Sequence, residues 1–314
     1  MISVAGTLVA DLLVRPIRNW AGKGHNATVD SIELLAGGTV ANTGLALARL
    51  GIPVSALGAV GEDSFGTGIR EWIDRWVTRN RIVAIPSTRT TASVVAVFED
   101  GDRCFLSSPG ACDQFNLTPS DLESEIAAGS RALHLGYAGR LPMLDGEPLE
   151  NIMRFTRRLG ALTSLDVTYF PDPRWPQLMK LMPEIDVFCP SLIEAAAITG
   201  KKSAEHAAAA LVEAGVQKFV AVTDGPNGAV VHVVGEDQEF IPPRPVKVVD
   251  TTGAGDSFIA GVLAAWYRGL SWKNAGQMGA FVASIAVTSA TRYENLRSFE
   301  ALHSELSVIS GSGQ

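Results

Sequence analysis

The stretch Val249-Asp250-Thr251-Thr252-Gly253-Ala254-Gly255-Asp256-Ser257-Phe258 joins an extended segment to a helix through a glycine-rich turn. Val246, Val248 and Val249 are β-branched and predict a strand leading into the turn. From Asp256 onward, Phe258, Ile259, Val262, Leu263 and Trp266 recur at helical spacing. Gly253 and Gly255 admit backbone angles closed to other residues, so successive N–H groups can converge on one point. A helix N-terminus presents unpaired N–H groups and partial positive charge, which suits a phosphate. Asp256 does not fit an anion site, because a carboxylate repels phosphate. It has a use there as the base that removes a proton from an attacking hydroxyl. The alternative is a plain helix cap, a position that Asp favours. Glycines for an anion and an acid for a proton together point to phosphoryl transfer to an alcohol.

A second glycine cluster lies near the N-terminus. Gly37-Gly38-Thr39-Val40-Ala41-Asn42 is followed by Ala46-Leu47-Ala48-Arg49-Leu50-Gly51 and by Gly58-Ala59-Val60-Gly61-Glu62-Asp63-Ser64-Phe65-Gly66. Gly37 and Gly38 allow close approach of backbone to a ligand, and the Asn42 amide suits a diol. Asn42 could instead cap a helix starting near Thr43. Taken with the 249–258 stretch, these segments resemble the two signatures of the ribokinase (PfkB) family of carbohydrate kinases.

That resemblance implies a three-layer α/β/α sandwich with a small inserted β-sheet lid. The kinase domain would comprise residues 1–10, 37–90 and 109–314, and the lid residues 11–36 and 91–108. It further implies ATP and Mg2+ as cofactors, with the amides of Gly253, Ala254 and Gly255 under the γ-phosphate and Asp256 as base. Asp11, Gly37, Gly38 and Asn42 would bind the sugar. Thr223-Asp224-Gly225-Pro226-Asn227-Gly228 matches the family's nucleotide loop, so Thr223, Gly225 and Gly228 would line the ATP site. In Pro190-Ser191-Leu192-Ile193-Glu194, Glu194 would hold Mg2+ through water, while Ser191 stands where the family usually has Asn. Ser191 and Glu194 also read as a capping box. K+ is implied beside the nest, at Asp250, Thr252, Ala286 and Ser289, although Thr291-Arg292-Tyr293 departs from the usual glycine-containing loop. Many relatives form a homodimer through the lid.

The rest of the chain alternates strand and helix. Strands are expected at 1–6, 54–57, 132–135, 164–166, 187–189, 218–223 and 229–234. Helices are expected at 66–79, 149–159, 192–199, 204–214 and 272–288. This alternation calls for a mostly parallel sheet with helices on both faces, and for ligands at the C-terminal strand ends. Residues 93–98 and 104–106 read as a hairpin around Glu99-Asp100-Gly101-Asp102. Residues 11–36 look irregular or extended, and the tail at 310–314 looks disordered.

Composition excludes several classes. The 314 residues are 46% hydrophobic, with 26 Lys and Arg against 33 Asp and Glu, a net charge of −7. An acidic chain is not a general nucleic-acid binder. No apolar run approaches the ~20 residues a spanning helix needs, and no signal-peptide pattern is visible. Cys104, Cys112 and Cys189 lack metal or disulfide spacing. A cytoplasmic location is expected. There is no G-x-x-x-x-G-K-[ST], and Gly66-Thr67-Gly68 lacks the third glycine of a dinucleotide fingerprint.

The acceptor is expected to be a small sugar of the free ribose, fructose or keto-deoxy type. Thr39 replaces the Lys of one family version, which removes a charge that a phosphorylated substrate would use. A nucleoside acceptor would need a flat wall, for which Tyr137, Phe105 and Tyr169 are candidates. Asp166-Val167-Thr168 and Asp172-Pro173-Arg174-Trp175 resemble a further family region without indicating the substrate. A non-catalytic sugar- or nucleotide-sensing regulator is a third reading, disfavoured because Asp256 and the nest glycines are intact.

Overall fold

The computed structural model describes residues 1–20, 22–99, 102–168, 175–289 and 293–311. Tyr169, the Asp172, Pro173 and Arg174 of the family-like region, Thr291, Arg292, two residues of the 99–102 turn and residues 312–314 lie outside them.

The strands are β1 (Ile2–Gly6), β2 (Val9–Ile17), β3 (Ser31–Gly37), β4 (Val54–Gly61), β5 (Arg79–Ile85), β6 (Ala92–Phe98), β7 (Arg103–Ser108), β8 (Ala132–Ala138), β9 (Leu162–Val167), β10 (Val187–Phe188), β11 (Phe219–Thr223), β12 (Ala229–Val233) and β13 (Glu239–Ile241). The helices are α1 (Thr39–Arg49), α2 (Ser64–Ile73), α3 (Pro119–Ala127), α4 (Glu147–Arg158), α5 (Leu192–Thr199), α6 (Ala204–Glu213), α7 (Ala254–Tyr267), α8 (Trp272–Ala286) and α9 (Phe299–Gly311). No helix of the described residues is long and apolar enough to cross a membrane.

A nine-stranded sheet runs β13-β12-β11-β10-β9-β8-β1-β4-β5. It is parallel except at β11/β12 and β12/β13. Side chains alternate between its faces, and the core divides accordingly. Ile2 and Val4 of β1 and Phe219 and Ala221 of β11 pack with Leu47, Phe258, Phe281 and Leu302, beneath α1, α7, α8 and α9. Ala5, Val220 and Val222 point the other way, toward Leu122, Ile152, Ala195 and Ala207 of α3 to α6. The period-2 pattern of strands therefore generates the three layers directly.

A second sheet of order β3-β2-β6-β7 is formed from the two segments inserted into this alternation. The β6/β7 hairpin pairs Ser93 with Ser107. Residues 11–36 are more regular than their sequence suggests, since β2 and β3 pair antiparallel from Val9↔Gly37 to Arg15↔Ser31. Leu8, Val40, Ile69 and Ile82 form a third core where the small sheet meets α1, α2 and the large sheet.

Two expectations fail locally. The helix expected over 66–79 ends at Ile73, and β5 follows from Arg79. The Trp72 and Trp76 rings, in edge-to-face contact, sustain the apolar pattern through the turn. No strand precedes the glycine turn: residues 242–248 carry no regular structure, and Val248 and Val249 are exposed. Pro242, Pro243 and Pro245 cannot donate to a ladder, which outweighs the β-branched valines.

Candidate active site

Helix starts sort into two kinds. Asp63, Thr118, Ser191, Ser203 and Ser271 cap α2, α3, α5, α6 and α8 with their side chains. By contrast, α1, α4 and α7 begin on Gly38 (φ 80°), Gly146 (φ 86°) and Gly253 (φ 74°), with no side-chain cap. Only glycine takes that backbone readily, and a Cβ on Gly38 would also come within 2.5 Å of the Thr7 carbonyl. Of these, α1 turns its Thr39 and Val40 N–H groups to the hydroxyl and carbonyl of Thr7, at 3.4 and 3.2 Å, and α7 has no side chain capping its first turn.

These two N-termini meet. Asp256, in the first turn of α7, is 5% exposed. Its Oδ1 accepts from the hydroxyls of Thr43 at 2.8 Å and Thr39 at 3.2 Å. Its Oδ2 accepts from Asn42 Nδ2 at 3.0 Å. All three donors stand in the first turns of α1. The positive ends of two helices and these donors thus converge on one carboxylate. Asn42 is not the cap of a helix starting at Thr43, because α1 already begins at Thr39.

The glycine turn departs in one respect from expectation. Gly253 is left-handed, but Gly255 lies inside α7 with ordinary helical backbone. A side chain there would meet no atom within 4 Å, so Gly255 leaves open space above the first turn. The Ala254 N–H turns back to the Thr251 carbonyl at 3.2 Å. Asp250 is tied down on two sides: its N–H and that of Val249 donate to the Val287 carbonyl at the end of α8, at 3.2 and 2.8 Å. Its Oδ1 accepts the Thr252 amide at 2.7 Å and Arg103 Nη1 of β7 at 2.9 Å. Burial opposes the charged form of Asp250. The Thr252 amide and hydroxyl and the Arg103 guanidinium outweigh it and hold the carboxyl below its usual range. Ala286 closes α8, and Ser289 is buried just beyond it.

Other expected residues sit at strand ends. Asp11, on β2, lies over Gly37, where a Cβ would fall 2.0 Å from Asp11 Oδ2. It belongs to the small sheet, where it pairs with Leu35. Ser191 bridges Thr223 beside β10 and β11, and the Thr223 N–H donates to the Pro190 carbonyl at 3.0 Å. Glu194 Oε2 accepts from the Ser191 N–H and hydroxyl, each at 2.7 Å, which completes the capping box. Gly225 (φ 49°) and Gly228 (φ 97°) shape the turn Gly225–Asn227, and a Cβ on Gly228 would lie 2.4 Å from the Ile241 carbonyl.

Three residues outside the expected set join the site. Thr39 and Thr43 are donors to Asp256, and nothing in their spacing distinguishes them from buried helix positions. Asp166, at the end of β9, has its carboxyl raised well above the usual range, first by withdrawal from water, then by the charges of Asp256 and Glu194. An Asp closing a predicted strand in such a sheet is the signal that could have marked it. Tyr137 follows β8's Gly136 in left-handed backbone (φ 60°), uncommon for an aromatic residue. A cavity of about 350 Å³ lined by Gly139, Asp145, Trp175 and Lys180 includes none of the residues that meet at Asp256.

Known proteins resemble this chain throughout its length. "Probable fructokinase-2" of Arabidopsis thaliana is 29% identical over 237 residues, 72% of this chain and 71% of its own. The "2-dehydro-3-deoxygluconokinase" of Bacillus subtilis strain 168 is 28% identical over 286 residues, 86% of each chain. The structure of Arabidopsis thaliana ribokinase complexed with ribose and ATP superposes with a TM-score of 0.81 at 25% identity, covering 97% of this chain and 98% of that one. The model of the pfkB family of carbohydrate kinases matches residues 2–297, and the chain belongs to that family.

Proposed function

We propose that this kinase transfers the γ-phosphate of ATP to a hydroxyl of a small free sugar, with Asp256 as the general base. The observation that carries the reading is the position of that carboxylate, buried at the junction of two glycine-capped helix N-termini. Thr39, Thr43 and Asn42 fix its orientation, so the attacking hydroxyl meets a base whose geometry is set beforehand. The first turn of α7, opened by Gly253 and kept clear by Gly255, receives the transferred phosphoryl group. Asp11 and Gly37 of the small sheet, with Gly38, lie on the sugar side. Thr223, Gly225, Gly228 and Ser191 lie on the nucleotide side.

Burial, then the charges of Asp256 and Glu194, raise the Asp166 carboxyl, which puts Asp166 and Glu194 in one electrostatic neighbourhood. Such a pair of hard oxygen donors suits Mg2+ retaining its waters, which when bound would offset phosphate charge. Contact through water is the mode that the family resemblance implies for Glu194.

A free sugar is favoured over a sugar phosphate because Thr39 supplies no positive charge for a phosphorylated acceptor, and over a nucleoside because Asp11 and Asn42 supply hydroxyl-binding groups and no flat surface for a base. ADP release measured over ribose, fructose, keto-deoxy sugars, their phosphates and nucleosides tests this. Preference for a nucleoside would overturn the acceptor class. Absence of turnover with every acceptor would favour the sensing role.

A further inference from the structure

Resemblance to the family implies K+ beside the nest, yet the side chains at that place do not fit the ion. Asp250 Oδ1 already takes the Thr252 amide at 2.7 Å and Arg103 Nη1 at 2.9 Å. The Thr252 hydroxyl, in the same loop, accepts from the same nitrogen. Nη2 lies 3.4 Å from the Thr251 hydroxyl. The Ala286 carbonyl faces the Ser289 N–H at 3.4 Å. A guanidinium does not lose its proton in proteins, so a second cation would meet a fixed like charge.

We infer that Arg103 is a tethered monovalent cation, which holds the 250–252 loop and through it the nest at Gly253, so that the enzyme works without K+. The inference rests on the kinase reading. Arg103 comes from the small sheet, where it pairs with Val97, and reaches across 147 residues of sequence to the loop. Both partners are largely withdrawn from solvent, with 23% of the Arg103 side chain and 17% of the Asp250 side chain exposed. An arginine in that setting is a positioning residue: it neutralises the carboxylate and engages the hydroxyls of Thr251 and Thr252 in the turn.

The test compares wild type, Arg103→Met and Arg103→Lys in tetramethylammonium chloride and in KCl, at about 100 mM each so that screening is equal. Melting temperature, the Kd of Mg2+ with a non-hydrolysable ATP analogue, and turnover are read for each. Wild type and Arg103→Lys should change less than about twofold in Kd and turnover between the salts, with no shift in melting temperature. Arg103→Met should bind the analogue about tenfold more weakly without K+, in line with loss of a charged hydrogen bond, and KCl should restore both affinity and melting temperature. A tenfold activation of wild type by K+ would overturn the inference, as would an Arg103→Met defect that KCl leaves unchanged. If Arg103→Met does not fold, the wild-type response to K+ alone decides. Failure of the analogue to bind in both salts counts against the kinase reading, and the melting comparison still reports the role of the cation.

Discussion

Replacing Asp256 with Asn would remove the proposed base and keep the side chain's shape. The carboxylate accepts bonds from Thr39, Asn42 and Thr43 among the described residues. Asn offers one oxygen to the two hydroxyls, and a flip of the Asn42 amide lets its oxygen accept from the new NH2. Three charge-assisted bonds become neutral ones, a loss of roughly 1 kcal/mol each and about 3 kcal/mol together. Relief of repulsion with Asp166 offsets part of this. The melting temperature should fall by no more than about 6–12 °C, at about 2–4 °C per kcal/mol for the full loss. Turnover should fall by about 10²–10⁴, the usual contribution of a general base, or roughly 2.7–5.4 kcal/mol of barrier. The assay is steady-state ADP release with the best sugar, beside calorimetric binding of nucleotide, which should be nearly unchanged. The pH dependence adds a second reading. Loss of the Asp256 charge lowers the Asp166 carboxyl toward its usual range, so any titration of Asp166 in the residual activity should move to lower pH. Turnover within about threefold of wild type in the folded variant would remove Asp256 from the mechanism.

Gly253→Val and Gly255→Val should fail differently: the first lowers stability by at least about 1 kcal/mol in chemical denaturation because of its left-handed backbone, whereas the second folds near-normally yet loses nucleotide affinity. Equal melting and binding in both variants would contradict the assigned geometry. Asp11→Ala should raise the sugar KM and leave the ATP KM little altered, each lost charged hydrogen bond being worth about 1.5–3 kcal/mol; a nucleoside substrate, with Tyr137→Ala the more damaging change, would reverse the sugar reading. His134, fully buried beside Ser164 and with its pKa lowered to about 3 by desolvation, is kept neutral by the fold. Its contribution is complete above the unfolded value of about 6.5 and is lost as pH falls toward 3, so His134→Leu should remove about 2 kcal/mol of the stability lost between pH 7 and 5 in urea titrations, and identical pH slopes for the two proteins would rule this out.

Much of the fold is legible in local sequence because its layers rest on short-range patterns. Alternating strands such as 219–223 and helices opened by Ser or Asp announce themselves within a few residues. What escapes is set by contacts distant in sequence. The β5 edge strand is masked by two tryptophans that extend the helical pattern, and the strand expected at 246–249 is denied by prolines with no partner ladder. At the candidate site the glycines and Asp256 stand out because few residues tolerate those positions. Thr39, Thr43 and Arg103 do not, since an ordinary hydroxyl or a surface-like arginine acquires meaning only from what folds against it. Gly255 was assigned the conformational freedom that belongs to Gly253, although its own contribution is room.

The bonds between Asp256 and the first turn of α1 close loops of 213 to 217 residues. Such closure is entropically slow and must wait for most intervening strands to order. The same helix, α7, packs on α1 and completes with α8 and α9 the layer over the face of the sheet that carries Ile2 and Val4, so a chain still lacking residues beyond 250 would have α1 alone on that face. During synthesis the first strand and first helix therefore emerge long before their cover does. The finished site is thus a product of the last fifth of the polypeptide docking onto the first fifty residues, and no nascent fragment ending before Asp256 can contain it.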